Sequence, residues 1–124
     1  MATFIVKPQR KVIVAGSRDF NDYTLLCSIL DGLFPKRDIE IVSGNARGAD
    51  RLGERYAEDR WLNCMKFPAN WTKYGKSAGL IRNQEMADYA DILVAFWDYS
   101  STGTKDMIAR AKKEGLEVHV IDIR

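Results

Sequence analysis

One histidine, two cysteines and three prolines are all that 124 residues contain, and no block of lysine or arginine stands out. With His119 as the single histidine, a Ser-His-Asp or Cys-His arrangement for nucleophilic catalysis cannot be assembled. His119 also falls inside the last strand-like run, far from the loops described below, so it is not read as a catalytic base. Cys27 and Cys64 lack metal-ligand spacing and further partners, which excludes a zinc site and a disulfide framework; both are expected to be buried free thiols. No apolar run approaches the roughly 20 residues that span a bilayer. No signal-peptide pattern is visible, because the N-terminal stretch meets charges at Lys7, Arg10 and Lys11. A net charge of only +2 argues against non-specific nucleic-acid binding through bulk charge. No repeat, low-complexity tract or linker is found. The expectation is a soluble cytoplasmic chain with no membrane partner.

What is present is enough apolar residue, 46%, for a core at this length. A single domain over residues 1–124 is expected. Strand-like runs fall at 11–15, 40–43, 63–67, 92–97 and 117–123, with a further short one at 3–7 that Pro8 would end. Several are apolar at successive positions, as strands covered on both faces are. Helix-period stretches lie between them, at 23–34, 49–61, 77–89 and 104–114, and Gly115 stands where a helix C-cap is expected. Alternating strand and helix give an α/β class: one Rossmann-like domain with a mainly parallel sheet and helices on both faces.

In such sheets ligands sit beyond the carboxyl ends of the strands, and the glycine loops of this chain lie there. Val12-Ile-Val-Ala-Gly-Ser-Arg-Asp19 runs from a strand into a loop that offers backbone approach at Gly16, a hydroxyl at Ser17, a guanidinium at Arg18 and a carboxylate at Asp19. Ser43-Gly44-Asn45-Ala46-Arg47-Gly48-Ala49-Asp50 does the same with small residues that leave room over a helix start. Helix N-termini carry unpaired N–H groups and attract phosphate, and arginine adds a two-pronged donor. Asp50 either holds a ribose hydroxyl or stabilises the first helical turn. Neither loop spells a P-loop or a dinucleotide fingerprint. Arg82 and Asn83 lie in the stretch 75–84, and Arg82 falls one turn after Ala78 and one before Met86, on the expected buried stripe; a buried arginine needs a carboxylate, such as Asp88 or Asp98, or a polar pocket. Gly103, Thr104 and Lys105 precede the last helix, with Thr104 either an N-cap or a phosphate donor. The stretch 68–76 reads as irregular; its Trp71 and lysines suit a lid or a base-stacking wall, and equally a loop packed on the core. Trp97 is the other candidate for stacking on a base. No spacing marks a catalytic pair, so catalytic residues are unassigned and enzyme activity is left open. No ligand cluster implies a metal; Mg²⁺ would arrive with a ligand's phosphates.

Taken together, Gly16-Ser-Arg-Asp-Phe20, the loop 43–50, Gly75-Lys-Ser-Ala-Gly-Leu-Ile-Arg-Asn83, Ala95-Phe-Trp-Asp98 and Gly103-Thr-Lys105 resemble, in order, the SLOG superfamily and most closely its YspA-like, cpYpsA-related branch of small bacterial and phage proteins. The likeness covers nearly everything from Lys11 onward. Asn45 stands where that branch usually has a second glycine, and Leu80 where it often has proline. The resemblance implies a Rossmann-like nucleotide pocket, a homo-oligomer, and a bacterial cell or phage-infected host as the setting. It implies a protein that senses, carries or sequesters a nucleotide-like ligand, with NAD-derived molecules and ADP-ribose among the candidates. Two alternatives come with it. The Lonely Guy phosphoribohydrolases cleave the base from a nucleoside monophosphate with a motif ending in glutamate. Met107 takes that position here, and Asp106, one residue early, is rotated by about 100° around the helix. Asp98 or Asp106 would then have to serve as the acid. DNA-processing protein A has a similar Ser-Gly-x-Ala-x-Gly-Ile-Asp loop and binds single-stranded DNA.

Overall fold

The computed structural model describes residues 9–124; the short strand expected at 3–7 lies outside them. The elements run β1 (Arg10–Gly16), α1 (Tyr23–Leu33), β2 (Ile39–Ser43), α2 (Ala49–Asp59), β3 (Cys64–Lys66), α3 (Trp71–Tyr74), a single 3₁₀ turn (Gly75–Ser77), α4 (Ala78–Tyr89), β4 (Ile92–Trp97), α5 (Thr102–Lys113) and β5 (Glu117–Asp122). All five strands are parallel, in the order β3-β2-β1-β4-β5. The chain steps outward from β1 to β3, then returns to lay β4 on the other side of β1. At that reversal the connections leaving β1 and β4 part to opposite faces and open a crevice above their ends.

The period of two along β1 splits the core. Val12 and Val14 face one layer, with Leu26, Leu30 and Phe34 at α1 and Tyr56 and Ala57 of α2. Ile13 and Ala15 face the other, with Met86 and Ala87 of α4 and Met107, Ile108 and Ala111 of α5. Each fully enclosed Leu or Ile contributes about 1.5–3 kcal/mol. The α1–α2 layer is also fastened by polar groups: the Tyr56 hydroxyl donates to Asp31 Oδ1 at 2.7 Å, and Arg60 Nη2 reaches Asp31 Oδ2 at 3.1 Å. These two partners hold the Asp31 carboxyl below its usual range, Tyr56 first.

Helix ends explain where the expected boundaries move. Helix α2 stops two residues short of Trp61, because Trp61 adopts φ +58 and Leu62 N–H turns back to the Ala57 carbonyl at 2.9 Å. The last helix starts at Thr102 rather than Thr104: its cap is Ser101, whose Oγ accepts from Thr104 N–H at 3.3 Å, so Thr104 is the capped residue and not the cap. Its end matches the expected Gly115, with Leu116 N–H bonded to the Ala111 carbonyl at 2.9 Å. The stretch 68–76 is not wholly irregular. Asn70 Oδ1 accepts from Lys73 N–H at 3.0 Å and caps one helical turn, α3. Cys27 and Cys64 are free but only half-buried, because each lies at the margin of its layer rather than inside it. No helix among the described residues is long and apolar enough to cross a membrane.

Candidate functional site

The crevice at the β1/β4 reversal is a cleft of about 640 Å³. It draws its walls from the loop after β1, the loop after β2, the α3–α4 segment and the loop after β4. The first two loops are held against each other by backbone. Ala49 N–H donates to the Ser17 carbonyl at 3.3 Å, and Ser17 N–H donates to Phe96 at 3.0 Å across the sheet end. Gly48 makes this possible: it has φ +82, and a Cβ there would collide with the Ser17 and Arg18 carbonyls. With glycine as its cap, α2 begins without any side chain on its first amides.

Ser43 does not line the cleft; it fastens the second loop from behind. Its hydroxyl donates to Glu54 Oε2 at 2.6 Å and accepts from Asn45 N–H at 3.0 Å. Asp50 does line it, yet is only 6% exposed. Burial pushes its carboxyl up to about 6, with Glu54 adding to the rise, while the Ala46 amide (3.3 Å from Oδ2) and Arg82 oppose it. A carboxyl this enclosed has little water around it.

Arg82 projects from α4 to the same place. Its Nη1 donates to the Gly44 carbonyl and its Nε to Asn83 Oδ1 at 3.1 Å. Neither expected partner is used. Asp88 is held by Gln84 at 2.8 Å and Asp98 by the Ser100 and Ser101 amides, both at 2.8 Å; the carboxylate that faces Arg82 electrostatically is Asp50. Gly44 lies between the two charges. A Cβ on it would stand 2.7 Å from Arg82 Nη1 and 2.8 Å from Asp50 Oδ2, so any larger residue would push these side chains away from their present positions. Burial lowers the Arg82 pKa, but a guanidinium stays charged at any working pH.

Of the remaining expected residues, Gly16, Ser17, Arg18, Asp19, Ala46, Arg47, Gly103 and Thr104 line the cleft, and Asn83 does so at its floor. Asn83's amide nitrogen is engaged with Asp106 Oδ2 at 3.0 Å and the Gly103 carbonyl at 3.3 Å, tying α4 to α5. Lys105 is exposed outside the lining, and Gly44, Asn45 and Gly48 shape the loop from beneath it. Trp97 is also outside: its indole N–H donates to the Ser101 carbonyl at 3.0 Å and its ring stacks on Tyr99 at 4.3 Å. Trp71 lines the cleft. Lys76 lines it too, as one of the lysines expected with Trp71 in a wall, and Gly79, Leu80, Met86 and Met107 line it without having been singled out from the sequence as ligand contacts. Gly79 and Met86 carried a usable signal, standing three before and four after Arg82 on one helical face. Asp98 has its carboxyl lowered, chiefly by the Ser101 amide, and Asp106 is paired with Arg110 Nε at 2.8 Å. Among the described residues no three His, Cys, Asp or Glu side chains gather as a metal site would need.

The profile of the YspA, cpYpsA-related SLOG family matches residues 10–74, which carry both glycine loops. The chain belongs to that family. This YspA-related protein is 33% identical over 117 residues to the Gene 61 protein of Mycobacterium phage D29, covering 88% of its own length and 94% of the phage protein. Among solved structures its fold is similar to DNA processing protein A from Streptococcus pneumoniae (TM-score 0.73, 18% identity, 90% of this chain) and from Helicobacter pylori (TM-score 0.67, 19% identity, 94% of this chain). The YspA-related chain spans 50% of the first and 66% of the second. The Moco carrier protein from Chlamydomonas reinhardtii shares the fold at a TM-score of 0.61 with 13% identity, over 91% of this chain and 76% of that one. Asn45, expected from the resemblance to depart from a glycine, adopts φ +60, a left-handed conformation that asparagine tolerates better than most residues.

Proposed function

We propose that this protein binds a nucleotide or nucleotide-derived ligand in the β1/β4 cleft and senses, carries or sequesters it intact. The observation that carries this reading is the convergence of three arginines from three segments on one cleft: Arg18 after β1, Arg47 after β2 and Arg82 on α4. The cleft also contains carboxylates, Asp19, Asp50 and Asp98, so it is not a plain anion sink. A ligand with phosphate for the arginines and hydroxyls for buried Asp50 satisfies both, and a ribose phosphate has both. Any Mg²⁺ would enter with the phosphates. Assembly into a homo-oligomer is part of the same proposal and would be read by sedimentation velocity.

Hydrolysis has less to work with. Asp98 accepts from two amides, which favours its ionised form over a proton-donating one, and Asp106 is committed to Arg110 and Asn83. Met107, which the sequence resemblance sets at the position of the phosphoribohydrolase glutamate, lines the cleft and has no ionisable group. Single-stranded DNA is the second reading, favoured by the fold shared with a protein described by its single-stranded DNA binding mode and by Trp71 and Lys76 on the cleft wall.

The test is native mass spectrometry of the purified protein with AMP, NAD, ADP-ribose and cyclic nucleotides. An intact ligand at one per chain, lost in Arg82→Ala, supports the reading. A released base with a ribose phosphate would make the protein a hydrolase. No binding would overturn the reading for this panel and move oligonucleotides forward.

A further inference from the structure

One wall of the cleft differs from the others. Trp71 and Leu80 line it while 53% and 44% exposed, so two large apolar side chains stand open to water in the cleft, whereas its other large apolar lining residues, Met86 and Met107, are buried. Single exposed apolar residues are ordinary; two flanking one floor, with charged groups around them, mark a contact surface. The floor is Gly79. A Cβ there would stand 3.6 Å from Trp71 Cη2 and 3.9 Å from Arg82 Nη2, so the indole edge and the guanidinium approach the same point with only a backbone beneath them. Helix α3 holds the indole there through its Asn70 cap, and Lys76 joins the same wall.

We propose that Trp71, Gly79 and Leu80 form a subsite for a flat heterocyclic base, adjoining the phosphate-binding arginines, so that the ligand is recognised by its base as well as by its phosphate. The inference rests on the nucleotide reading and adds to it the residues that read the base. An indole face accepts any base by stacking, and Gly79 keeps side-chain bulk away from the indole edge and Arg82. Such a subsite serves equally a free nucleotide and one base of a single strand, because the stacking chemistry is the same. It makes Trp71 the residue that separates a base-bearing ligand from a bare ribose phosphate, and Arg82 the residue that holds the phosphate.

The experiment is isothermal titration of the wild type, Trp71→Ala and Trp71→Phe with AMP, GMP, CMP and UMP, with ribose 5-phosphate, and with dTMP and a ten-residue oligothymidylate. At least one nucleotide is expected to bind the wild type about tenfold or more tighter than ribose 5-phosphate. Trp71→Ala should erase that advantage while leaving ribose 5-phosphate binding unchanged, and Trp71→Phe should retain most of it. A loss confined to the oligothymidylate would identify a single strand as the source of the base. Equal binding of ribose 5-phosphate and every nucleotide, or an equal loss of both in Trp71→Ala, overturns the base subsite while leaving the phosphate site standing. A change in sedimentation mass of Trp71→Ala without any change in ligand affinity would also overturn it, placing the indole between two copies of the chain. Binding of none of these probes to folded wild-type protein, nor of NAD, ADP-ribose or cyclic nucleotides titrated alongside them, would remove the nucleotide reading itself.

Discussion

A guanidinium on the inner side of a helix must be matched by polar groups, and Arg82 meets a carbonyl, an amide oxygen and the field of a buried carboxylate rather than a close ion pair. That leaves charge over for a ligand. Arg82→Ala should therefore lower affinity for a phosphorylated ligand by about a hundredfold, the scale of losing a charge-assisted pair. Arg82→Lys should recover only part, because an ammonium cannot hold Gly44 and a phosphate with one rigid fork. Titration calorimetry on both variants checks this, and a lysine variant equal to the wild type would refute the fork. Asp50 gives a pH prediction. Its folded pKa of about 6 lies above the ordinary 3.8, so the folded state holds the proton more tightly than the unfolded state. Stability from this group is complete below about 3.8 and is lost as pH rises through about 6, roughly 3 kcal/mol in all. Relative to Asp50→Asn, the wild type should thus fall in denaturant midpoint between pH 4 and 7, with the curves parallel above that window. A wild type that gains against the variant over the same window would contradict the assignment. Helical spacing alone exposed Arg82 as a polar group on a buried stripe. Its partners were hidden, because Gly44 and Asp50 come near it only once β2 and α4 are folded onto the same sheet end.

Between neighbouring elements the deciding contact is backbone against backbone. The loops after β1 and β2 touch through Gly48, whose conformation and missing Cβ admit the Ser17 and Arg18 carbonyls. Gly48→Ala should cost about 2 kcal/mol or more, from left-handed strain and a forced separation of the loops. It should also weaken ligand binding, because Arg18 and Arg47 would no longer face one space; thermal denaturation and titration calorimetry together check both effects. A variant destabilised but binding normally would mean that the loops act independently. The elements themselves were readable from period and punctuation: apolar runs gave the five described strands, and every long helix lies within the expected windows or two residues outside them. What misled was end chemistry. Trp61 ends α2 in a left-handed conformation that nothing in its side chain advertises, and Ser101 outcompetes Thr104 as the α5 cap because it sits one turn earlier with the same hydroxyl. The Asn70 cap of α3 was present in the sequence as an asparagine before an aromatic turn, but one turn is too short to register as a period.

On the scale of the whole molecule, strand order decides where chemistry is possible, and charge decides what can be drawn there. The return from β3 to β4 brings four segments separated in sequence to one crevice, which is why the loops were recognisable singly while their shared cleft was not. The net charge is only +2, and the cations that line the cleft are Arg18, Arg47, Lys76 and Arg82. This limits the salt dependence. Each phosphate neutralised on a single strand contributes about 0.7 to the slope of log K against log salt. A cleft-bound nucleotide should show a shallow slope, and an oligothymidylate lengthened from five to twenty residues should gain neither slope nor affinity beyond the number of sites it offers. Fluorescence anisotropy between about 50 and 200 mM salt makes the comparison. A slope that steepens with length would mean that the strand tracks over surface outside the cleft, and would transfer the function from holding a nucleotide to holding DNA. A length-independent slope would confine recognition to the crevice, where the arginines, Asp50 and Trp71 are all within reach of one nucleotide.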